Sequence, residues 1–231
     1  MIYKLFDIYI DIDEKYESTK EFLKEFKATE ENTPDMKIRI TDEEIDAEYK
    51  KNPEYSFEYH ERVCIFRHIA EEITDFSGMF IHSAVVAVDD DGYMFLGKSG
   101  AGKTTHVKEW VKFFKNRVVI INEDKPVFRF FNDGIYAYGN PWCGIENGFT
   151  NKRVKVKSAC FINQATKNQI RKLQDDEVLK RILNQVEIPK TAQRKIKFYE
   201  LLDGFIKDIK FYELDCDISC EAVMTSYELM K

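Results

Sequence analysis

The stretch "YMFLGKSGAGKTTHVKEW", residues 93–110, is the most informative part of this chain. Residues 97–104 within it match G-x-x-x-x-G-K-[ST], the pattern of a phosphate-binding loop. Glycines let successive backbone amides converge on one anion, and the positive end of a following helix adds to the attraction. In such a loop, Lys103 would supply a charge for the terminal phosphates and Thr104 a hydroxyl for Mg²⁺.

The sequence on both sides of the loop favours this interpretation. Residues 93–96 are apolar strand formers, and residues 105–115 carry apolar side chains at helical spacing. A glycine loop that only turns the chain does not require the full pattern between a strand and a helix. Lys98 occupies a variable position and is expected to face solvent. The predicted nucleotide contacts in the loop are Gly97, Ser99, Gly100, Ala101, Gly102, Lys103, Thr104 and Thr105.

Composition sets limits on the class of protein. The 231 residues suit one large domain or one domain with a small extension, and 44% of them are hydrophobic. A net charge of −6 argues against a nucleic-acid-binding surface. No apolar run approaches the ~18 residues of a membrane helix. The N-terminus turns acidic within a dozen residues, unlike a signal peptide, so a cytoplasmic protein is expected. The five cysteines include no C-x-x-C pair and are expected to be reduced. A homo-oligomer is compatible with these features.

The pattern of strands and helices predicts an α/β fold with a mixed β-sheet around the nucleotide loop. We expect an N-terminal α+β accessory layer over residues 1–78, packed on a kinase core over residues 79–231. Predicted strands cover residues 2–13 and 36–40, two strands within 79–100 joined by the acidic turn at 89–92, two within 117–131 broken at Pro126, and then 134–139, 155–164 and 209–216. Predicted helices cover residues 15–27, 57–76, 105–115, 175–186, 194–207 and 219–231, with a capping box at Thr41 and Glu44 and an exposed loop at 28–35.

An acidic pair, Glu123 and Asp124, directly follows the apolar strand "VVIIN". In a βαβ unit this strand and the loop strand are parallel, so their carboxyl ends face the same crevice. Phosphoryl transfer needs carboxylates there, to hold magnesium and to accept the proton of the attacking hydroxyl. An ordinary acidic turn after a strand is the simpler alternative, but its place beside a phosphate loop favours a functional role.

The segment "IHSAVVAVDDDGYMFLGKSGAGKTT" followed by "VVIINEDKPV" resembles the core of HPr kinase/phosphorylase and of ATP-dependent phosphoenolpyruvate carboxykinase. The resemblance covers roughly residues 80–165, without a match before residue 78. It implies a shared fold with the acidic pair close after the loop, and a histidine, His82, opening the strand pair before it. The family pair is Asp-Asp, with one base and one residue near the metal. Here the first position is Glu123, which leaves the division of roles open. "GNPWCGIENGFTNKRVKVKSACFI" also resembles a segment of small uncharacterised homologues.

Three further residues are candidates with competing interpretations. His82 is expected to hydrogen-bond the acidic pair or the transferred phosphate, although a partly buried histidine is the simpler alternative. Arg153 is a candidate charge clamp on the γ-phosphate, or else part of an exposed basic edge strand. Cys143 is expected at the same end of the sheet, as a packing residue rather than a nucleophile, because no partner base is visible.

These features predict an ATP- and Mg²⁺-dependent kinase that transfers the γ-phosphoryl group to a hydroxyl of a protein, a peptide serine or a small alcohol. Lys103 would hold the β- and γ-phosphates, Thr104 and Asp124 the metal, and Glu123, assisted by His82, would accept the proton. The alternative is a nucleotide-binding regulatory module with slow or absent ATP hydrolysis. A carboxykinase would need a larger chain with an oxaloacetate site. The sequence does not identify the acceptor.

Overall fold

The computed structural model describes residues 1–29, 32–144 and 148–231. Two residues of the predicted exposed loop, Glu30 and Glu31, therefore lie outside the described residues. The same is true of residues 145–147, in the segment that follows the Trp-Cys-Gly turn.

The described residues form both strands and helices, with strands in runs within residues 78–96 and 118–172. The strands are β1 (Ile2–Leu5), β2 (Ile8–Asp13), β3 (Met36–Arg39), β4 (Gly78–Phe80), β5 (Ala84–Val88), β6 (Asp91–Leu96), β7 (Val118–Asn122), β8 (Val127–Phe131), β9 (Gly134–Tyr138), β10 (Arg153–Gln164), β11 (Gln169–Lys172) and β12 (Lys210–Cys216). The α-helices are α1 (Glu17–Leu23), α2 (Asp42–Lys51), α3 (Phe57–Glu72), α4 (Lys103–Phe114), α5 (Asp175–Ile182), α6 (Ala192–Asp208) and α7 (Cys220–Met230).

The N-terminal residues form a three-stranded sheet in the order β1-β2-β3. The single strand predicted over residues 2–13 is instead an antiparallel hairpin. Its turn is made by Phe6 and Asp7, which adopt left-handed φ values of 58° and 59° without the glycine that usually marks such a turn. The predicted capping box is confirmed at the start of α2, because the Glu44 amide donates to Thr41 Oγ1 at 3.2 Å and the Thr41 amide donates to Glu44 Oε2 at 2.8 Å.

Among the described residues, the larger sheet has nine strands, seven of them in the order β4-β8-β9-β10-β6-β5-β7, with β12 also paired to β10 and β11 to β12. Strand β5 pairs antiparallel with both β6 and β7. Strands β6 and β7 are therefore parallel, and their carboxyl ends lie at the same edge of the sheet. This confirms the predicted mixed α/β arrangement, with the difference that β5 lies between the two strands.

Side chains on the two faces of the larger sheet pack against different helices. On one face, Phe95 of β6 lies in a buried cluster with Trp110 of α4 and Val223 of α7. On the other face, Leu96 lies in a cluster with Ile182 of α5 and several residues of α6. Neighbouring residues of β6 thus face opposite sides of the sheet, and helices cover both sides of the strand that leads into the loop.

A third buried cluster joins the small sheet and α3 to the β4–β8–β9 side of the larger sheet. Phe66 of α3 and Phe80 of β4 are both in it, with ring centroids 4.5 Å apart. Trp142 packs against this cluster and donates from Nε1 to the Arg62 carbonyl at 3.0 Å. The N-terminal residues thus share a core with the larger sheet, and the domain division at residue 78 stays a prediction. None of the helices in the described part of the chain combines the length and apolar character needed to cross a membrane.

Candidate functional site

The phosphate-binding loop connects β6 to α4 and depends on three glycines. Gly97, Gly100 and Gly102 have φ values of 151°, 79° and 98°, which L-residues with a side chain rarely adopt. A β-carbon at Gly97 would lie 2.9 Å from the Ala101 β-carbon, so the loop could not close as tightly with another residue there. A β-carbon at Gly100 would meet nothing within 4 Å, so the space beside this glycine is open.

Lys103, the first residue of α4, lies across this loop. Its Nζ donates to the carbonyl of Gly97 at 2.9 Å, and only 8% of the residue is exposed. Burial lowers the pKa of Lys103, while the Asp124 carboxylate acts in the opposite direction. The Lys103 amine thus lies against the loop at the amino end of α4, where an anion is favoured.

Gln164 anchors the loop from the neighbouring strand, a contact that the sequence did not indicate. Strand β10 runs parallel to β6, with Phe161 opposite Leu96, so its carboxyl end reaches the loop. Gln164 Nε2 donates to the Gly100 carbonyl at 2.8 Å. The amide thus fixes the loop backbone at its most open glycine.

The direction of the acidic pair is set by Asn122, the last residue of β7. Its fully buried side chain accepts hydrogen bonds from the amides of Asp124 and Lys125 at 2.9 and 2.8 Å. It also donates to the Asn140 carbonyl at 2.9 Å. An asparagine that bonds to the backbone two residues further on forms a tight turn, and here the turn directs the carboxylates toward the loop. Asn122 is a second site residue that sequence reasoning missed.

His82 precedes β5 and contacts Asp124. Its Nε2 lies 3.1 Å from Asp124 Oδ1, and its main-chain amide donates to the Gln185 carbonyl at 2.6 Å. Burial tends to raise the pKa of Asp124, but the His82 hydrogen bond and the charges of His82, Lys125 and Lys103 hold it below its ordinary value. Asp124 is therefore ionised at neutral pH.

Glu123 is more buried than Asp124, and its carboxylate packs against Gly148. Only 9% of the residue is exposed. A β-carbon on Gly148 would lie 1.7 Å from Glu123 Oε2, so this position has no room for a larger residue. Glu123 and Asp124 still border the same cavity, as the sequence predicted.

One cavity of about 520 Å³ brings these groups together, a volume within the usual range for small-molecule sites. The predicted residues that line it are His82, Ser99, Gly100, Ala101, Gly102, Lys103, Thr104, Thr105, Glu123 and Asp124. Cys143, Gly144 and Gln164 complete the lining. Gly97, also predicted, does not line this cavity and borders an adjacent one instead.

Two further cavities border the same loop. One, of about 400 Å³, lies beside α4 and shares Ala101, Gly102, Thr105 and Gln164 with the first. It also borders His106, whose burial lowers its pKa to about 4, so its imidazole is neutral and accepts a hydrogen bond from Trp110 Nε1 at 2.9 Å. The other, of about 550 Å³, lies on the α5 side of the loop.

The structure does not bring Arg153 to this cavity. Arg153 begins β10 and Gln164 ends it, so the two residues are separated by roughly 35 Å of extended strand. The Arg153 guanidinium instead donates to Asp7 Oδ2 at 2.8 Å and to the Tyr138 hydroxyl at 2.9 Å. The prediction that Arg153 clamps the γ-phosphate is corrected accordingly, and Arg153 is no longer included in the site.

Cys143 is a buried thiol in the turn that packs against Asp124. Its Sγ donates to the Pro141 carbonyl at 3.3 Å. Burial raises the pKa of Cys143 to about 11, and the charges of Glu123 and Asp124 act in the same direction. A protonated thiol is a poor nucleophile, in agreement with the packing role expected from the sequence.

The five cysteines are expected to differ sharply in reactivity. Cys220 is exposed, whereas the other four are buried. Titration of the native protein with a thiol-specific disulfide reagent at pH 8 should therefore show one fast equivalent, which Cys220→Ser removes. Fast labelling of Cys143 in the Cys220→Ser variant would contradict the protonated, buried state described above.

Comparisons with known proteins find distant similarity to solved structures. No family model and no curated protein matches this chain. Among solved structures, the HPr(Ser) kinase/phosphatase from Coxiella burnetii is similar with a TM-score of 0.37 and 10% sequence identity, covering 65% of this chain and 93% of that one. The similarity is too low to support a functional argument, which rests instead on the residues around the cavity.

Proposed function

We propose that this protein is a phosphotransferase that binds ATP with Mg²⁺ and transfers the γ-phosphoryl group to a hydroxyl. The observation that supports this most directly is the convergence of a glycine loop, a buried lysine and the His82–Asp124 pair on one cavity. The finer assignment is also part of the proposal: a P-loop kinase core of the HPr kinase and phosphoenolpyruvate carboxykinase type over residues 79–231, with residues 1–78 as an accessory layer.

The residues around the loop fit a nucleotide. The open space in front of Gly100 and the amino end of α4 suit the phosphates, and Lys103 is the cation that would hold the β- and γ-phosphates. The cavity of about 400 Å³ beside α4 shares Thr105 with the phosphate cavity and has room for the nucleoside. Its apolar lining includes Ile218, which is 73% exposed and available to pack on a base.

Thr104 and one of the two carboxylates would hold the magnesium ion. Mg²⁺ in such sites takes one or two protein oxygens together with phosphate oxygens. When bound, the ion would neutralise charge on the phosphates. Asp124 suits this role because its carboxylate is ionised and borders the cavity with Thr104.

Side chains of this protein would accept the proton that the acceptor hydroxyl loses during transfer. The acceptor oxygen forms a bond to the γ-phosphorus, and the bond from that phosphorus to the bridging oxygen breaks, so ADP leaves with the electron pair. The hydroxyl proton passes to a carboxylate of the acidic pair. The sequence favours Glu123, assisted by His82, for this step, but His82 contacts Asp124, which makes Asp124 an equal candidate for the base.

His82→Ala is expected to lower turnover at least about tenfold while changing ATP affinity less than about twofold. The reason is that His82 contacts a carboxylate rather than the loop that would bind phosphates. The measurement is steady-state transfer once an acceptor is found in a screen with labelled ATP, with slow ATP hydrolysis as the fallback, and calorimetry for affinity.

His68→Ala is the matched control, because His68 is equally exposed (34% against 35%) and also contacts a carboxylate, Glu44, and this pair borders a cavity that includes no residue of the loop. Equal turnover for His82→Ala and wild type would remove His82 from the catalytic group. ATP binding without any turnover in the wild-type protein would favour the regulatory-module alternative.

A further inference from the structure

We propose that the cavity between the phosphate loop and α5 is the acceptor site and that it takes a small anionic alcohol, such as a hydroxy acid or a phosphorylated polyol. This inference rests on the proposed function and adds to it the class of the acceptor. It is carried by the position of the cavity, its charge and an unpartnered buried amide.

The cavity is adjacent to the reacting groups. It shares Ser99, Gly100, Ala101 and Gln164 with the cavity that contains the acidic pair, so the two meet over the middle of the loop. Gln185, on its α5 side, accepts a main-chain hydrogen bond from His82. A molecule bound there would have its hydroxyl beside the loop and close to the His82–Asp124 pair.

The cavity is positively charged within a protein of net charge −6. Its lining includes Lys98, Lys180 and Arg181. The carboxylate that lines it, Glu213, already accepts from both Arg181 and Arg171, at 2.5 and 2.8 Å. Lys180 is 75% exposed and pairs only with Asp176 on the same helix among the described residues, a type of surface pair that is weak and easily exchanged. An anionic ligand would therefore find cations that are free to turn toward it.

Gln185 offers a second, independent indication of a ligand. The residue is 8% exposed and lines the cavity, yet its Oε1 is buried without a hydrogen-bond partner. Of the described side-chain atoms that are buried without a partner, Gln185 Oε1 belongs to a residue that lines this cavity, and it has an acceptor to offer to a ligand there. The hydroxyl of an alcohol, which is also the group required for transfer, would supply the missing donor.

The size of the cavity favours a small molecule over a protein segment. Its volume of about 550 Å³ lies within the range of pockets that enclose small ligands, whereas a protein acceptor would dock on a broad surface. A carboxylate and a phosphate group would both satisfy the lysines, so the test compares the two.

The experiment measures acceptor binding to the protein saturated with ADP and Mg²⁺, by calorimetry. The probes are matched pairs: glycerol and glycerol 3-phosphate, glucose and glucose 6-phosphate, and glycerol and glycerate. We expect at least one anionic member to bind at least tenfold more tightly than its neutral partner. Lys180→Gln should weaken that binding at least threefold, and Gln185→Leu should also weaken it.

Lys207→Gln is the matched control, because Lys207 also pairs with an aspartate four residues earlier on an exposed helix face but does not line the cavity. Equal binding of every anionic and neutral pair would overturn the proposal. So would an equal effect of Lys180→Gln and Lys207→Gln, and so would transfer to a serine peptide that is insensitive to Lys180→Gln. Failure of ADP to bind in the first titration would count against the proposed function instead, and the pairs measured without nucleotide would then test the cavity alone.

Discussion

Lys103→Ala is expected to weaken the binding of ATP with Mg²⁺ by about 100-fold or more. Lys103 is buried and its Nζ already contacts the loop backbone, so the substitution removes the group that would contact the phosphates. A charge-assisted contact to a phosphate in a partly buried site is among the stronger polar interactions in proteins. Isothermal titration calorimetry on the two proteins gives the ratio of dissociation constants.

Lys112→Ala provides the control for this measurement. Lys112 lies on the same helix, α4, is 67% exposed and lines none of the three cavities around the loop. Although its partner Glu109 borders the cavity beside α4, the loss of Lys112 should change nucleotide affinity far less than the loss of Lys103. Equal affinity of wild type and Lys103→Ala for ATP would show that the loop has no part in binding nucleotide and would end the kinase proposal.

Asp124→Asn and Glu123→Gln are each expected to lower phosphoryl transfer by about 100-fold or more while leaving the protein folded. Each change keeps the shape of the side chain and removes a negative charge that would hold the metal or accept the proton. The fold should persist because the turn that holds the pair depends on Asn122, which bonds to the backbone rather than to the two carboxylates. Initial velocities and thermal melts measure the two effects separately.

Asp89→Asn is a suitable control, because Asp89 also follows a strand of the same sheet but pairs with Arg117 on the exposed surface. The variants also separate the two carboxylates. If Asp124 is the base, its loss should alter the pH dependence of turnover more than Glu123→Gln does. Folded variants that transfer phosphate at the wild-type rate would refute the assignment of the acidic pair.

Much of the site was predictable because its signals are local. The loop pattern, the helix after it and the acidic pair lie within about 30 consecutive residues, and the parallel arrangement of β6 and β7 follows from general rules for a strand–helix–strand unit. The capping box at Thr41 was equally local, since both of its hydrogen bonds join residues three positions apart. Each of these features needs only a short pattern and the physics of one turn.

The remaining features depend on contacts that no short pattern records. Arg153 reaches Asp7, which lies 146 positions earlier, and this long-range pairing decides where its side chain lies. Gln164 is an ordinary polar residue at a strand end until β10 is placed beside β6. The hairpin turn at Phe6 contains no glycine, so no turn pattern in the sequence indicates it. Strand β11, with the polar sequence Gln-Ile-Arg-Lys, gains strand structure only by pairing with β12.

The two segments that support the phosphate loop and its helix, β10 and α7, are synthesised after the loop itself. Residues 97–104 leave the ribosome long before Gln164, which holds Gly100, and before Ser226 of α7, whose hydroxyl lies 3.4 Å from His106 on the helix that follows the loop. Pairings between distant segments form late. A nascent chain that ends before β10 therefore carries the complete phosphate motif without the strand that supports it. A nucleotide bound as we propose would therefore stabilise the finished protein rather than the first half of the chain during synthesis.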